Sequence, residues 1–294
     1  MSALRFLLRK PSTPVGVVPA PVRRLTGAGF DTDWARRPSA RVARKVLVNG
    51  VMGPVIGGLA TPSVRGLDRL EDLEGPVVFA ANHHSHLDTP LLLRTIPSRF
   101  SDRLVVGAAA DYFFGNVVSG SLAALALGAF PVERTMVGRK SADTAAELIA
   151  DDFSLLLFPE GGRSPDGWGQ DFRGGAAYLA LRCGVPIVPI HIEGTGRILP
   201  KGRSLPRSAT TTVTFGTPIH PADGERSQAL TTRVESAVAT LADEDTNDWY
   251  SAQRRAHEGS TPALRGPQTG AWRRIWALDA SRPGRSRPTW PKKR

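Results

Sequence analysis

The sequence predicts an α/β fold: a mostly parallel central sheet flanked by helices, with basic appendages at both ends. Three observations carry this expectation. From about residue 64, short apolar or β-branched runs alternate with helical patterns, as they do in strand–helix units that build a parallel sheet. Two polar segments, Asn82–Asp88 and Phe158–Ser164, each follow directly on an apolar run. In α/β sheets, ligand-binding turns lie beyond the carboxyl ends of strands. Charge is also segregated. Residues 1–45 carry +8, residues 251–294 carry +9, and residues 46–250 carry −6 of the net +11.

The elements follow in order. Residues 1–40 are rich in Pro, Arg and Gly and predict an irregular arm. Val46–Val64 is uncharged, but Gly50, Gly53, Pro54, Gly57, Gly58 and Pro62 interrupt it, so it reads as an interfacial segment rather than a membrane span. Val77–Ala80 is a strand running into the first motif, and Pro90–Arg94 starts a helix. Leu104–Val106 is a strand, 113–127 a buried or membrane-contacting helix, and Ala129–Glu133 a strand. Ala142–Ile149 is a helix, and Ser154–Phe158 a strand leading into the second motif. Gly174–Arg182 is a helix, Ile187–Ile192 and Thr210–Phe215 are strands, and Gln228–Leu241 closes the unit as a helix. The expected organisation is an arm with an interfacial segment over 1–63, a catalytic domain over 64–245 and a basic, Trp/Arg-rich tail over 246–294.

At 294 residues with 41% hydrophobic content, the chain can bury a sizeable core. A lone Cys183 excludes an internal disulfide. No long apolar core followed by a small-residue cleavage site reads as a secretory signal. The basic ends suit a polyanion, either nucleic acid or an anionic membrane. In the tail, Trp272 and Trp276 stand four residues apart and would share a helix face, with Arg273, Arg274, Trp290 and Lys292 nearby. Indoles favour the headgroup layer, but they also stack on single-stranded nucleic acid, so the tail alone leaves both readings open.

The first motif is Asn82-His83-His84-Ser85-His86-Leu87-Asp88. A hydroxyl is a weak nucleophile until a base takes its proton, and histidine is the usual base. A neighbouring carboxylate fixes its tautomer and stabilises the imidazolium. A strand–turn–helix bend can fold Asp88 onto His83. His84-Ser85-His86-Leu87-Asp88 also matches the opening of a zinc motif, H-x-H-x-D, but Thr89 stands where that motif continues with histidine. In the second motif, Gly161 and Gly162 allow close backbone approach to a ligand, and Arg163 offers a planar fork for a phosphate. Gly128–Arg134 ends a third apolar run with another arginine.

Together these segments resemble the glycerophospholipid acyltransferase family typified by 1-acylglycerol-3-phosphate acyltransferases. Four blocks follow the family's order. Asn82–Asp88 resembles N-H-x-S-x-x-D, Gly128–Arg134 resembles G-x-x-F-x-x-R, Phe158–Ser164 resembles F-P-E-G-T-R-S, and Val185–Ile190 resembles V-P-I-x-P-V. The resemblance covers about residues 64–220. It implies an acyl-CoA or acyl-carrier-protein donor and a lysophospholipid acceptor, with direct attack of the acceptor hydroxyl on the thioester and no metal or bound cofactor. It assigns His83 as general base and Asp88 as its orienting acid. Arg134, Glu160, Gly161, Gly162 and Arg163 become the acceptor-phosphate site. The expected protein is a peripheral enzyme on the cytoplasmic face of a membrane, converting 1-acylglycerol 3-phosphate to phosphatidic acid. Its partners are a lysophospholipid, an acyl thioester and an anionic surface, and not nucleic acid. The alternatives are the same chemistry on glycerol 3-phosphate, another lysolipid or a glycolipid, and a non-catalytic polyanion-binding or membrane-binding protein. Three departures from the family pattern stand out. Gly107–Asp111 lacks the lysine common there, Gly162 replaces a threonine, and Glu133 stands where Asp is common.

Overall fold

The computed structural model describes residues 27–133, 139–200 and 205–280. Seven strands form one sheet: β1 (Pro62–Arg65), β2 (Val78–Ala81), β3 (Leu104–Ala109), β4 (Ala129–Val132), β5 (Ser154–Leu157), β6 (Ile187–Glu193) and β7 (Thr211–Phe215). Their spatial order is β1-β7-β6-β2-β5-β3-β4. All neighbours pair in parallel except β6 and β7, which are antiparallel. The expected mostly parallel sheet is therefore present, with β1 and β7 running against the other five strands.

The helices of eight or more residues among the described residues are α1 (Pro38–Ala60), α2 (Asp88–Thr95), α3 (Val117–Leu127), α4 (Arg139–Ala150), α5 (Gly175–Cys183), α6 (Ser227–Thr246), α7 (Trp249–His257) and α8 (Ala271–Ala280). They cover both faces of the sheet. On β2, Phe79 and Ala81 enter one core with Val48 and Ile56 of α1 and Leu91, Leu92 and Leu93 of α2. Val78 and Ala80 enter the other core with side chains of α4, α5 and α6. This two-sided burial explains why β2 and β5 read as continuous apolar runs rather than alternating ones.

β2 and β5 are neighbours at the centre of the sheet, with Val78 opposite Leu155 and Ala80 opposite Leu157. Because they are parallel, the turns that follow them leave the sheet side by side. The topology thus brings Asn82–Asp88 against Phe158–Ser164, although they are far apart in sequence.

The structure departs from the expected elements in four places. The helix expected over 113–127 is broken. A single turn, Ala110–Phe113, is followed by a bend, and Asn116 then caps α3 by accepting a hydrogen bond from the Ser119 amide at 2.9 Å. α1 passes Gly50 in a π-helical stretch, Leu47–Met52, and Gly53 and Pro54 open the α-helical segment that follows it, Gly53–Ala60. By length and composition α1 is long and apolar enough to cross a membrane, at 23 residues and a mean hydropathy of 1.2. β1 starts at Pro62, two residues before the expected domain boundary. Finally, part of the stretch assigned to a tail is helical and docked. Arg255 of α7 meets Asp243 of α6 at 2.6 Å, and Arg274 of α8 meets Asp166 at 2.8 Å. Trp290 and Lys292 lie outside the described residues.

Candidate active site

The first motif folds as a strand-to-helix turn that closes on itself. Asp88 is the first residue of α2 and is fully buried. Its Oδ2 accepts hydrogen bonds from the amides of His84 at 2.7 Å and Ser85 at 2.8 Å, and lies 2.8 Å from His83 Nδ1. Burial pushes the Asp88 carboxyl up. The bond to His83, the charges of His83 and His84 and the Ser85 amide outweigh it and hold Asp88 below the ordinary carboxylate range. An ionised Asp88 requires the proton of His83 to sit on Nδ1, which leaves Nε2 as a base. The His83 ring also stacks on Phe158 of the second motif, with centroids 4.2 Å apart. Asn82 anchors the turn by exchanging two hydrogen bonds with the Ile192 backbone, at 2.9 and 2.7 Å.

The other two histidines go elsewhere. His84 Nε2 is buried without a hydrogen-bond partner among the described residues, and burial lowers its pKa below that of an ordinary imidazole. The His86 ring stacks on Tyr112, and burial, with Arg163 and His83 adding to it, also lowers its pKa. Among the described residues, no three His, Cys, Asp or Glu side chains group as a metal site requires.

The second motif forms the facing wall. Gly161 has φ 71°, and a Cβ there would stand 2.9 Å from Arg173 Nε, so only glycine fits. Gly162 has open space where a side chain would be. Glu160 is 2% exposed, and both of its carboxylate oxygens accept hydrogen bonds within the protein. Oε1 accepts from the His83 amide at 3.0 Å, and Oε2 accepts from the Gln170 amide at 3.2 Å. Burial pushes its pKa up to about 8 against the lowering by these donors, and the charge of Asp88 adds to the rise. A further bond, from the Ser164 amide to the His83 carbonyl at 2.8 Å, ties the two motifs together.

Between the motifs opens a cavity of about 560 Å³. His83, Gly161, Gly162 and Arg163 line its polar side, with Glu133 and Arg173. Val106, Phe130, Leu157, Ala176 and Leu179 line its apolar side. Gly107 also lines it and lets Leu157 pack closely, because a Cβ there would stand 2.5 Å from a Leu157 methyl. Arg134 lies outside the described residues. Sequence reasoning missed Arg173, which stands between the second motif and α5. Its signal was a basic residue just before the Gly174-Gly175 helix start. It also missed Ser141, whose buried hydroxyl lines the cavity without a hydrogen-bond partner among the described residues.

The comparisons with known proteins find relatives over the stretch that holds both motifs. Residues 61–193 match the acyltransferase family. The match covers under half of the chain. It spans β1 to β6 and so contains both motifs. The chloroplastic 1-acyl-sn-glycerol-3-phosphate acyltransferase of Arabidopsis thaliana is 31% identical over 185 residues, covering 62% of this chain and 49% of that protein. A 1-acyl-sn-glycerol-3-phosphate acyltransferase of Limnanthes douglasii is 28% identical, covering 61% and 64%. This chain therefore spans about half to two thirds of the length of these relatives. Among solved structures, the 1-acyl-sn-glycerophosphate acyltransferase PlsC of Thermotoga maritima superimposes with a TM-score of 0.53 at 22% identity, covering 73% of this chain and 83% of that one. The likeness to that structure is one of fold.

Proposed function

We propose that the protein moves a fatty acyl group from a thioester to the free hydroxyl of 1-acylglycerol 3-phosphate, giving phosphatidic acid. The observation that carries this reading is the His83–Asp88 pair on a cavity with arginines on one side and an apolar wall on the other. His83 Nε2 takes the hydroxyl proton as the oxygen attacks the thioester carbonyl. The tetrahedral intermediate then collapses, the C–S bond breaks, and the imidazolium returns the proton to the leaving thiolate. Asp88 holds the tautomer and stabilises the imidazolium. Arg163, with Arg173, holds the acceptor phosphate, and Arg134 joins them from the third motif. Gly161 and Gly162 let the phosphate approach the backbone. The acyl chain lies along Val106, Phe130 and Leu157.

No acyl-enzyme is needed in this scheme. Cys183 ends α5, does not line the cavity, and has its thiol pKa pushed up by burial. No step requires a metal. The donor is acyl-CoA or acyl-carrier protein. We place the enzyme peripherally on the cytoplasmic face of a membrane. The exposed Val42, Val46, Val51 and Val55 of α1 and the basic tail support that placement.

The test is to assay the purified full chain with an acyl-CoA and a panel of 1-acylglycerol 3-phosphate, glycerol 3-phosphate and lysophosphatidylcholine. Phosphatidic acid should dominate. Equal turnover of lysophosphatidylcholine would overturn the phosphate assignment, and preference for glycerol 3-phosphate would move the reading to the first acylation.

A further inference from the structure

The loop that carries Arg163 is held on its outer side by a segment that lies beyond the acyltransferase-family match. The Gly169 amide donates to the Leu264 carbonyl at 2.9 Å. The Trp168 indole Nε1 donates to the Arg274 carbonyl at 3.0 Å, and Arg274 Nε donates to Asp166 Oδ2 at 2.8 Å. Arg265 meets Asp171 at 2.9 Å. Gly167, at φ 92°, lies so close to Leu278 that a Cβ there would stand 2.6 Å from its methyl. Gly266 lies as closely under the Trp168 ring.

The inner side of the same loop touches the catalytic pair. The Ser164 amide binds the His83 carbonyl, and the Ser164 hydroxyl accepts from the Gly167 amide at 2.7 Å. The Gln170 amide binds Glu160, which in turn holds the His83 amide. Two residues, Ser164 and Gly167, therefore separate the helix α8 contact from His83. We propose that the segment Leu264–Leu278 is a clamp that positions the acceptor-phosphate loop, with Arg274 and Trp168 as positioning residues. The proposal rests on the reading that Arg163 meets the acceptor phosphate.

Releasing the clamp displaces Arg163 more than the acyl wall, because that wall comes from strands and helices packed in the core. The acceptor KM is therefore the parameter that moves. In the full chain, Arg274→Gln should raise it by about tenfold, the size of one lost charge-assisted hydrogen bond. The donor KM should stay within about twofold of wild type, a margin smaller than one lost hydrogen bond. Trp168→Phe removes only the indole donor and should act in the same direction with a smaller effect. Asp166→Arg alone should reproduce the loss, and Asp166→Arg combined with Arg274→Asp should restore the acceptor KM.

Amide hydrogen exchange over 164–171 reads the clamp without any substrate, and it should accelerate in Arg274→Gln and recover in the charge swap. Unchanged exchange in the folded variants would overturn the clamp. Faster exchange with equal rises in both KM values would overturn its positioning role. Wild-type protein inactive on 1-acylglycerol 3-phosphate would overturn the functional reading instead, and the exchange experiment would still decide whether the clamp exists.

Discussion

The Asn82–Asp88 turn and the Pro159–Arg173 loop face each other across one cavity, but they are held in opposite ways. The first closes on itself, since His83, His84 and Ser85 all converge on a single oxygen of Asp88, at separations of five, four and three residues. The second is fixed from outside. Its Glu160 meets the His83 amide across 77 residues, and its Asp166 meets Arg274 across 108. The proposed proton-transfer pair is thus local, while the wall proposed to bind the acceptor depends on packing of the whole chain. Changes in the first should cost turnover, and changes in the second should cost acceptor affinity or stability.

The largest effect should come from the self-contained turn. His83→Ala should reduce kcat by roughly 10²–10⁴-fold, the usual worth of a general base, with the melting temperature little changed. Asp88→Asn should be similarly impaired, and in addition less stable, because its oxygen holds two backbone amides at the start of α2. A folded His83→Ala protein with near-full activity would break the comparison at its base. In the facing loop, Arg163→Ala should raise the acceptor KM about tenfold or more while sparing the donor KM, as loss of a charge-assisted contact does. An equal rise for both substrates would make Arg163 a structural residue.

Much of the first region was legible because its contacts are short in sequence. A histidine five residues before an aspartate, after an apolar run, is enough to bring the two together at a strand end. The central strands were legible for a similar reason, since β2 and β5 are buried on both faces and read as apolar runs. What was hidden depends on distance. β1 has three exposed residues and one half-buried residue, and it is held as a strand by pairing with Thr211–Thr214 of β7. The break at Gly115-Asn116 was hidden by the apolar residues on either side, although the asparagine was a cap in plain sight. Glu160 stands in a motif position that suggests ligand contact, and only the folded chain reveals two backbone amides already bonded to it. Nothing near Trp168 in sequence points to Arg274.

Glu160 gives a smaller effect with a definite sign. Its pKa rises from an ordinary 4.5 to about 8 in the folded protein. The fold therefore favours the protonated carboxyl. This contribution to stability is fully present below about pH 4.5, is lost as pH rises toward 8, and changes no further above it. Glu160→Gln cannot titrate. It also loses one of the two amide acceptors, at a cost that does not vary with pH. Melting temperatures of the two proteins should therefore converge as pH is raised from 5 to 8. A constant offset across that range would show that Glu160 is ionised throughout and acts as a fixed acceptor.

The smallest expected effect separates the two faces of α8. Arg274 points into the loop, whereas Trp272 is 69% exposed, with the Arg273 guanidinium 5.1 Å from its ring centroid. An exposed indole beside a cation suits the headgroup region of an anionic bilayer. One basic residue near such a surface contributes about 1 kcal/mol, and salt screens it within a Debye length. Arg273→Ala should therefore weaken flotation with anionic liposomes by about fivefold at low salt, with little change at high salt or on neutral liposomes. Trp272→Ala should weaken binding to both lipid types. Neither variant should move the acceptor KM for a short, water-soluble lysolipid, because neither side chain is among those that bond the 164–171 loop. Truncation at residue 270 would confuse the two functions, since it removes Arg274 together with the outward residues. If Arg273→Ala instead raised the acceptor KM as Arg274→Gln does, α8 would act as one unit, and the division between a lipid-facing and a loop-facing side would fail.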